Sequence, residues 1–332
     1  MKLQSVNALQ LMNNPPINLQ NAVNNLLKDF EPADNIIIAC SGGADSLALA
    51  WTSQVVTKRL GLNLIAAIID HQLIKESSEV AIEAMKKCKD FGIEKVFIKQ
   101  IEVEDNNEGL EAAARKARYE AFEELVIEHS AKAVLLAHTQ DDQAETMLMR
   151  LTRGSGAKSL SAMKEVSGKY LRPFLHIRKQ ELVKALEKEG ITYWQDPANT
   201  NYKFLRAKVR HELIPKLIEV LGDSAIDSLD KTSGLLKEDN EALDAIAIEN
   251  YEKLNKELKV EILVNMPAAI RKRMIKIAAL DSGVNPGPFS FEHIEAIDAL
   301  VTNWRGQGNV DLPGFIQACR VDQTIRFISS RN

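Results

Sequence analysis

The run Ile36-Ile37-Ile38-Ala39-Cys40-Ser41-Gly42-Gly43-Ala44-Asp45-Ser46-Leu47 constrains this chain more than any other stretch. Its β-branched residues favour an extended strand, its two glycines permit a tight turn, and the residues that follow favour a helix. Such a strand–turn–helix presents backbone N–H groups and the positive end of a helix to an anion, read here as phosphate. No Lys follows the glycines as in G-x-x-x-x-G-K-[ST], and no third glycine completes G-x-G-x-x-G, so a kinase-type loop and a dinucleotide turn are both excluded. Ser41, Gly42, Gly43, Ala44, Asp45 and Ser46 are the candidate phosphate ligands. The plain alternative is a tight turn with Asp45 and Ser46 in the first turn of an ordinary helix.

Around that loop, Ile36 to Cys40, Leu62 to Ile69, Lys95 to Ile101 and Ala133 to Ala137 read as strands. Asp45 to Arg59, Glu76 to Phe91 and Leu110 to Glu128 carry apolar residues at helical spacing. This β-α repetition predicts an α/β fold with a doubly wound, mainly parallel sheet, whose ligands bind at the carboxyl ends of the strands. Asp70, His71 and His138 follow such ends and share one rim with the loop.

The 332 residues, 45% hydrophobic, suffice for two domains with their own cores. We expect a first domain over 1–216, its core at about 34–216, and a second over 217–332. Helical periodicity over Ala225 to Leu254, Ala268 to Leu280 and Phe291 to Val301 gives way to short strands over Asn309 to Phe327, broken at Pro313-Gly314. The second domain is therefore smaller, mostly helical, and ends in strands. The Asn-rich stretch Asn7 to Asn25 is expected to be loosely attached. Three widely spaced cysteines argue against a disulfide framework or a Cys-x-x-Cys site and fit a reducing cytosol. With no apolar run long enough to span a membrane and no basic-then-apolar start, a cytoplasmic protein is expected.

The net charge of −4 hides an uneven distribution. Met1 to Glu145 carries −8, Thr146 to Lys216 carries +9, and the remainder −5. A basic middle can meet nucleic-acid phosphates, although Arg and Lys also simply solvate helix faces.

The second informative stretch is His138-Thr139-Gln140-Asp141-Asp142-Gln143-Ala144-Glu145-Thr146, with three carboxylates in the first turns of a helix. Asp141 and Glu145 are four apart, with Asp142 beside them, so the group could hold Mg²⁺ or an ammonium. Thr139 and Asp142 equally make a capping-box-like pair.

Taken together, Ser-Gly-Gly-Ala-Asp-Ser, Asp70-His71, Glu111-Ala-Ala-Ala-Arg115, Arg118-Tyr119, the His138 segment, Arg150, Arg153-Gly-Ser-Gly156, Arg172-Pro173, Asp196-Pro-Ala-Asn199 and Arg206-x-x-x-Arg210 resemble the bacterial tRNA(Ile)-lysidine synthetases, within the N-type ATP pyrophosphatases. The resemblance is dense from about Ile36 to Pro215. It departs at Gln72, where the family often has Gly, and at Ala207 and Lys208, where Asn and Arg are common.

The resemblance implies a ligase that uses ATP to adenylate C2 of the wobble cytidine of a CAU-anticodon tRNA(Ile) and then joins the ε-amine of L-lysine there, releasing AMP and pyrophosphate. It implies that Ser41 to Ser46, with Asp70, His71 and Arg115, bind ATP, with Asp45 near Mg²⁺. Asp141, Asp142, Glu145 and Arg206 would bind lysine, and Asp45, Asp142, Glu145 and Arg206 would be catalytic. Arg118, Arg150, Arg153, Lys158, Arg172, Arg178 and Arg210 would face tRNA, alongside Lys179 in the same basic block. The C-terminal domain would position the tRNA body, and a role in dimerisation is equally open. Other pyrophosphate-loop enzymes, installing sulfur on a tRNA base or amidating a small molecule, are the alternatives.

Overall fold

The strands Asn35–Ala39 and Asn63–Asp70 of the first sheet are apolar on both faces, which is the pattern of a sheet covered by helices on both sides. Ile36 and Ile38 point into one core and Ile37 into another; Leu64, Ala66 and Ile68 alternate in the same way with Ile65 and Ala67. In the computed structural model, which describes residues 13–72, 77–103, 109–152, 157–161, 163–195 and 205–330, the chain divides into two compact units, Met1–Ser233 and Gly234–Asn332.

The first unit contains strands β1 (Asn35–Ala39), β2 (Asn63–Asp70), β3 (Lys95–Gln100), β4 (Ala133–Leu135), β5 (Val166–Ser167) and β6 (Tyr170–Leu171) in the order β3-β2-β1-β4-β6-β5. All neighbours run parallel except the β5–β6 hairpin. Helices α1 (Ile17–Leu27), α2 (Ala44–Leu60), α3 (Ser77–Asp90) and α7 (Lys179–Lys188) supply one covering layer, and α4 (Leu110–Glu128) supplies the other. Between them in sequence lie α5 (Gln140–Leu151) and α6 (Ala157–Leu160), and the unit continues through α8 (Leu205–Lys208), a π-helical turn at Val209–Leu213, α9 (Ile214–Leu221) and the start of α10 (Ser224–Lys253).

One expectation needs adjustment. Of the Asn-rich stretch, Asn7 to Met12 lie outside the described residues, and Ile17 to Asn25 are firmly attached as part of α1, because Leu19, Val23 and Leu27 recur at helical spacing and are buried. The first compact unit runs to Ser233 and so includes the start of α10.

The second unit holds the rest of α10, β7 (Leu258–Lys259), α11 (Val260–Leu263), α12 (Ala268–Asp281), α13 (Phe291–Thr302), β8 (Val310–Leu312), β9 (Ile316–Val321) and β10 (Thr324–Ser329). Its strands form an antiparallel sheet in the order β7-β10-β9-β8. The buried Arg271–Asp298 pair, closed by two hydrogen bonds of 2.6 and 3.2 Å, ties α12 to α13. The three long helices and the terminal hairpins fall where periodicity places them, whereas β7 and α11 are too short to leave a pattern. No described helix is long and apolar enough to cross a membrane.

Candidate active site

The phosphate loop joins β1 to α2 at the carboxyl edge of the sheet. Gly42 has φ +82°, which favours glycine, and a Cβ there would lie 3.2 Å from Ala84 Cβ on α3, a tight contact. Its carbonyl accepts from Trp194 N at 3.0 Å. Gly43 is the N-cap of α2 and supplies no side-chain cap, which leaves the first-turn N–H groups available to an anion. The Ser46 hydroxyl shapes the turn: it accepts from Ser41 N at 3.1 Å, donates to the Gly43 carbonyl at 3.0 Å and meets Ser41 Oγ at 3.2 Å.

Asp45 Oδ2 accepts from Lys179 Nζ at 2.9 Å, while Asp45 Oδ1 is buried without a hydrogen-bond partner. Burial pushes the Asp45 carboxyl up, against the opposing pull of Lys179. At the end of β2, Asp70 accepts from Gln72 N at 3.0 Å and Ser78 Oγ at 3.1 Å. Burial would raise this carboxyl, but hydrogen bonds from Gln72, Ser77, Ser78 and Gln100 outweigh it and hold Asp70 below its ordinary range. Gln72 itself has φ +53°, the left-handed conformation that glycine adopts most easily.

His71 Nε2 accepts from Arg118 Nε at 3.2 Å, which puts the imidazole proton on Nδ1, a buried atom without a partner. Burial first, and the Arg118 charge second, bring His71 down to about 4, so the ring is neutral at pH 7. His138, at the end of β4, is likewise down to about 4, through burial and nearby Arg172, Arg206 and Arg115, against an opposing Asp142.

The acid cluster has the capping geometry and, beyond it, pairs with two arginines of the same unit. Thr139 and Asp142 do form a capping box at the start of α5: Asp142 Oδ2 accepts from Thr139 N at 2.9 Å and from its hydroxyl at 3.0 Å. Asp142 Oδ1 remains and accepts from Arg206 Nη2 at 2.9 Å and Arg210 Nη2 at 3.1 Å. Glu145, only 1% exposed, takes Arg206 Nε at 2.8 Å and Arg210 Nε at 2.5 Å, with a further bond from Arg210 Nη2 at 2.9 Å. Acids three apart on α5 thus face arginines four apart across α8 and the π-helical turn, a distortion often found at functional sites. Burial would raise the Asp142 carboxyl, but Arg206, His138 and Arg210 hold it below its ordinary range. Asp141 turns elsewhere: it accepts from the backbone N–H of Lys179 at 2.7 Å and pairs with Arg178 Nε at 3.6 Å, fixing the start of α7.

The remaining basic residues divide. Arg115 is exposed, stacked over the Tyr119 ring at 5.0 Å, and Arg118 reaches His71. Arg150 donates to the Ser159 carbonyl at 2.7 Å, and Arg178 lies 3.9 Å from Asp227. Arg172 is buried and donates to the Lys164 carbonyl at 2.8 Å. Its burial sets it apart from the surface residues of the basic block, and its Nε has no hydrogen-bond partner. Arg153, the Lys158 side chain and the Asp196-Pro-Ala-Asn199 motif lie outside the described residues. The site residue that the sequence hides is Lys179, which groups with a surface block by composition but turns to Asp45 in space.

The first unit matches the family described as a PP-loop domain over residues 15–217, and the second matches the TilS substrate binding domain over residues 258–326. The U34-tRNA thiolase NcsA of Methanococcus maripaludis shares the fold, with a TM-score of 0.56 at 19% identity over 66% of this chain and 78% of its own. The tRNA(Ile)-lysidine synthase of Thermobifida fusca is 42% identical, over 94% of this chain and 97% of its own length. That of Streptomyces coelicolor is 40% identical, over 86% and 82%. Identity of that order along both units, together with a phosphate loop and an acid–arginine cluster in one of them, makes this chain a member of the tRNA(Ile)-lysidine synthase family.

Proposed function

We propose that the protein adenylates C2 of the wobble cytidine, position 34, of tRNA(Ile) with a CAU anticodon and then transfers that carbon to the ε-amine of L-lysine. The observation that carries the proposal is the pairing of two sites in one unit: an anion-binding loop at Ser41–Ser46 and a cation-binding acid pair at Asp142 and Glu145. In the first step the cytosine O2 attacks the α-phosphorus of ATP and the bond to the bridging oxygen breaks, with pyrophosphate leaving on the loop. In the second the lysine nitrogen bonds to C2 and AMP departs with the former O2.

Asp45 is the residue that fits Mg²⁺, because one carboxylate oxygen is buried and unpartnered. Among the described residues no three His, Cys, Asp or Glu side chains converge as a metal cage, which suits an ion held by one carboxylate and substrate phosphates. When bound, the ion supplies neutralisation of phosphate charge. His71 and Arg115 line the same rim as candidate nucleotide contacts.

A lysine ammonium, with an ordinary pKa of about 10.4, must lose a proton before it attacks. Both acids are already neutralised by Arg206 and Arg210, so the substrate ammonium takes the place of one guanidinium. The displaced arginine then becomes available to the substrate α-carboxylate or to phosphate. Withdrawal of that arginine also relieves the depression of Asp142 and improves it as a proton acceptor. Arg118, Arg150, Arg178 and Arg210, with Arg153 and Lys158, are the proposed tRNA contacts. The test is transfer of labelled lysine to unmodified tRNA(Ile) with a CAU anticodon. Incorporation that requires ATP and vanishes in Asp45→Ala and Asp142→Ala supports the proposal; ATP splitting with no lysine incorporation by the wild type overturns it.

A further inference from the structure

The phosphate loop contains no cation. Its only charged side chain, Asp45, is negative, so a cradle for a pyrophosphate tetra-anion would be electrostatically adverse if backbone N–H groups stood alone. In loops of the G-x-x-x-x-G-K-[ST] type a lysine inside the motif solves this problem. Here a lysine arrives from a different element. Lys179 is the first residue of α7, and its backbone is fixed because its N–H donates to Asp141 Oδ2 at 2.7 Å. Its side chain then reaches the loop and places Nζ 2.9 Å from Asp45 Oδ2. The side chain is 40% exposed and that of Asp45 22%, so the ammonium is anchored at its root yet open to a ligand along its length.

Resting on the ATP-dependent reading above, we infer that Lys179 is a pyrophosphate-binding residue: its ammonium is the cation of the phosphate loop, holding the β- and γ-phosphates of ATP and the charge that develops on pyrophosphate as the bond to the α-phosphorus breaks. The sequence groups it with arginines that would face tRNA; the geometry assigns it to the nucleotide. Asp45, Asp141 and the Lys179 ammonium then work as one unit, in which Asp141 sets the position of α7 and Asp45 holds the ammonium at the loop. An ammonium acts here as a point charge, which arginine reproduces in sign and which a neutral amide does not.

The test is calorimetric titration of the full chain, wild type, Lys179→Gln and Lys179→Arg, with inorganic pyrophosphate, with ATP and with adenosine, in Mg²⁺ and again in EDTA. Binding of ATP by the wild type checks the underlying reading independently of Lys179. Lys179→Gln is expected to weaken pyrophosphate and ATP about 10- to 100-fold, as for loss of one charge-assisted contact. The loss persists in EDTA, adenosine affinity stays within about twofold, and Lys179→Arg recovers most of the loss. Pyrophosphate and ATP affinities unchanged in Lys179→Gln overturn the inference. So does an equal loss for adenosine, which would show that the side chain only supports the fold of the rim.

Discussion

The phosphate loop and the acid–arginine cluster belong to the same compact unit but are built in opposite ways. The loop spans six consecutive residues and works through backbone: a positive φ at Gly42, an uncapped helix start, and a serine hydroxyl that folds the turn onto itself. The cluster works through side chains, and Asp142 and Glu145 meet arginines more than sixty residues away in sequence. A backbone site tolerates change wherever no Cβ intrudes. A side-chain site of paired charges tolerates the loss of none of them, because each deletion leaves a partner desolvated.

Glu145→Ala should be the most damaging single substitution in the cluster. Glu145 is nearly inaccessible and bonds both Arg206 and Arg210, so its removal takes a buried acid from each guanidinium and leaves Asp142 facing both. Breaking such pairs costs about 3–5 kcal/mol when fully buried; with the arginine side chains 25–30% exposed, about 2–4 kcal/mol is expected. Urea unfolding measures it, and lysine incorporation is expected to fall about 10³-fold in the same variant. A change below about 1 kcal/mol would mean that solvent, not Glu145, satisfies these arginines.

The loop answers with a paired substitution. Gly42→Ala meets both strain at φ +82° and a 3.2 Å contact with Ala84 Cβ, and about 2 kcal/mol of stability is expected to go with most ATP affinity. Gly43→Ala, at φ −74° with its nearest new neighbour at 3.6 Å, is expected to cost less than about 1 kcal/mol. Equal effects of the two substitutions in thermal unfolding would remove the backbone argument.

The same contrast explains what the sequence could disclose. The β1–loop–α2 unit, the buried strands and the terminal hairpins follow from local patterns of apolar residues and glycines, and the capping box at Thr139 and Asp142 is legible as a four-residue motif. The i,i+4 rule misleads at Asp141, because it shares a helix with Glu145 but turns to the start of α7, where an N–H without a helical partner attracts it. Composition cannot separate Lys179 from its basic neighbours, nor show that Arg172 is buried, since both depend on where α7 and the β5–β6 hairpin pack. β5 and β6, at two residues each, carry too few positions for alternation to register.

A third test uses pH and distinguishes the histidines of the rim from both sites. His71 and His138 are each down to about 4 in the folded protein, against about 6.5 when unfolded. For a group with a depressed folded value, the stabilising contribution is complete above the unfolded value and is lost as pH falls toward the folded one. Stability should therefore decline between about pH 6.5 and 4, by about 1–2 kcal/mol in total once solvent screening is allowed for. The double variant His71→Gln with His138→Gln should flatten that slope in urea unfolding; an unchanged slope would place the titration elsewhere.

The smallest effect concerns Gln72, which sits beside the site yet follows the backbone logic of the loop. Its φ of +53° costs an L-residue about 1–2 kcal/mol, whereas glycine reaches it freely at a penalty of about 0.5–1 kcal/mol for its greater freedom when unfolded. Its side chain is exposed, and its tie to Asp70 runs through the backbone N–H, which glycine retains. Gln72→Gly is thus expected to stabilise the protein by about 0.5 kcal/mol in urea unfolding while leaving Asp70 hydrogen-bonded. A loss of stability instead would show that the Gln72 side chain holds the rim, and would move this position from the backbone class to the side-chain class.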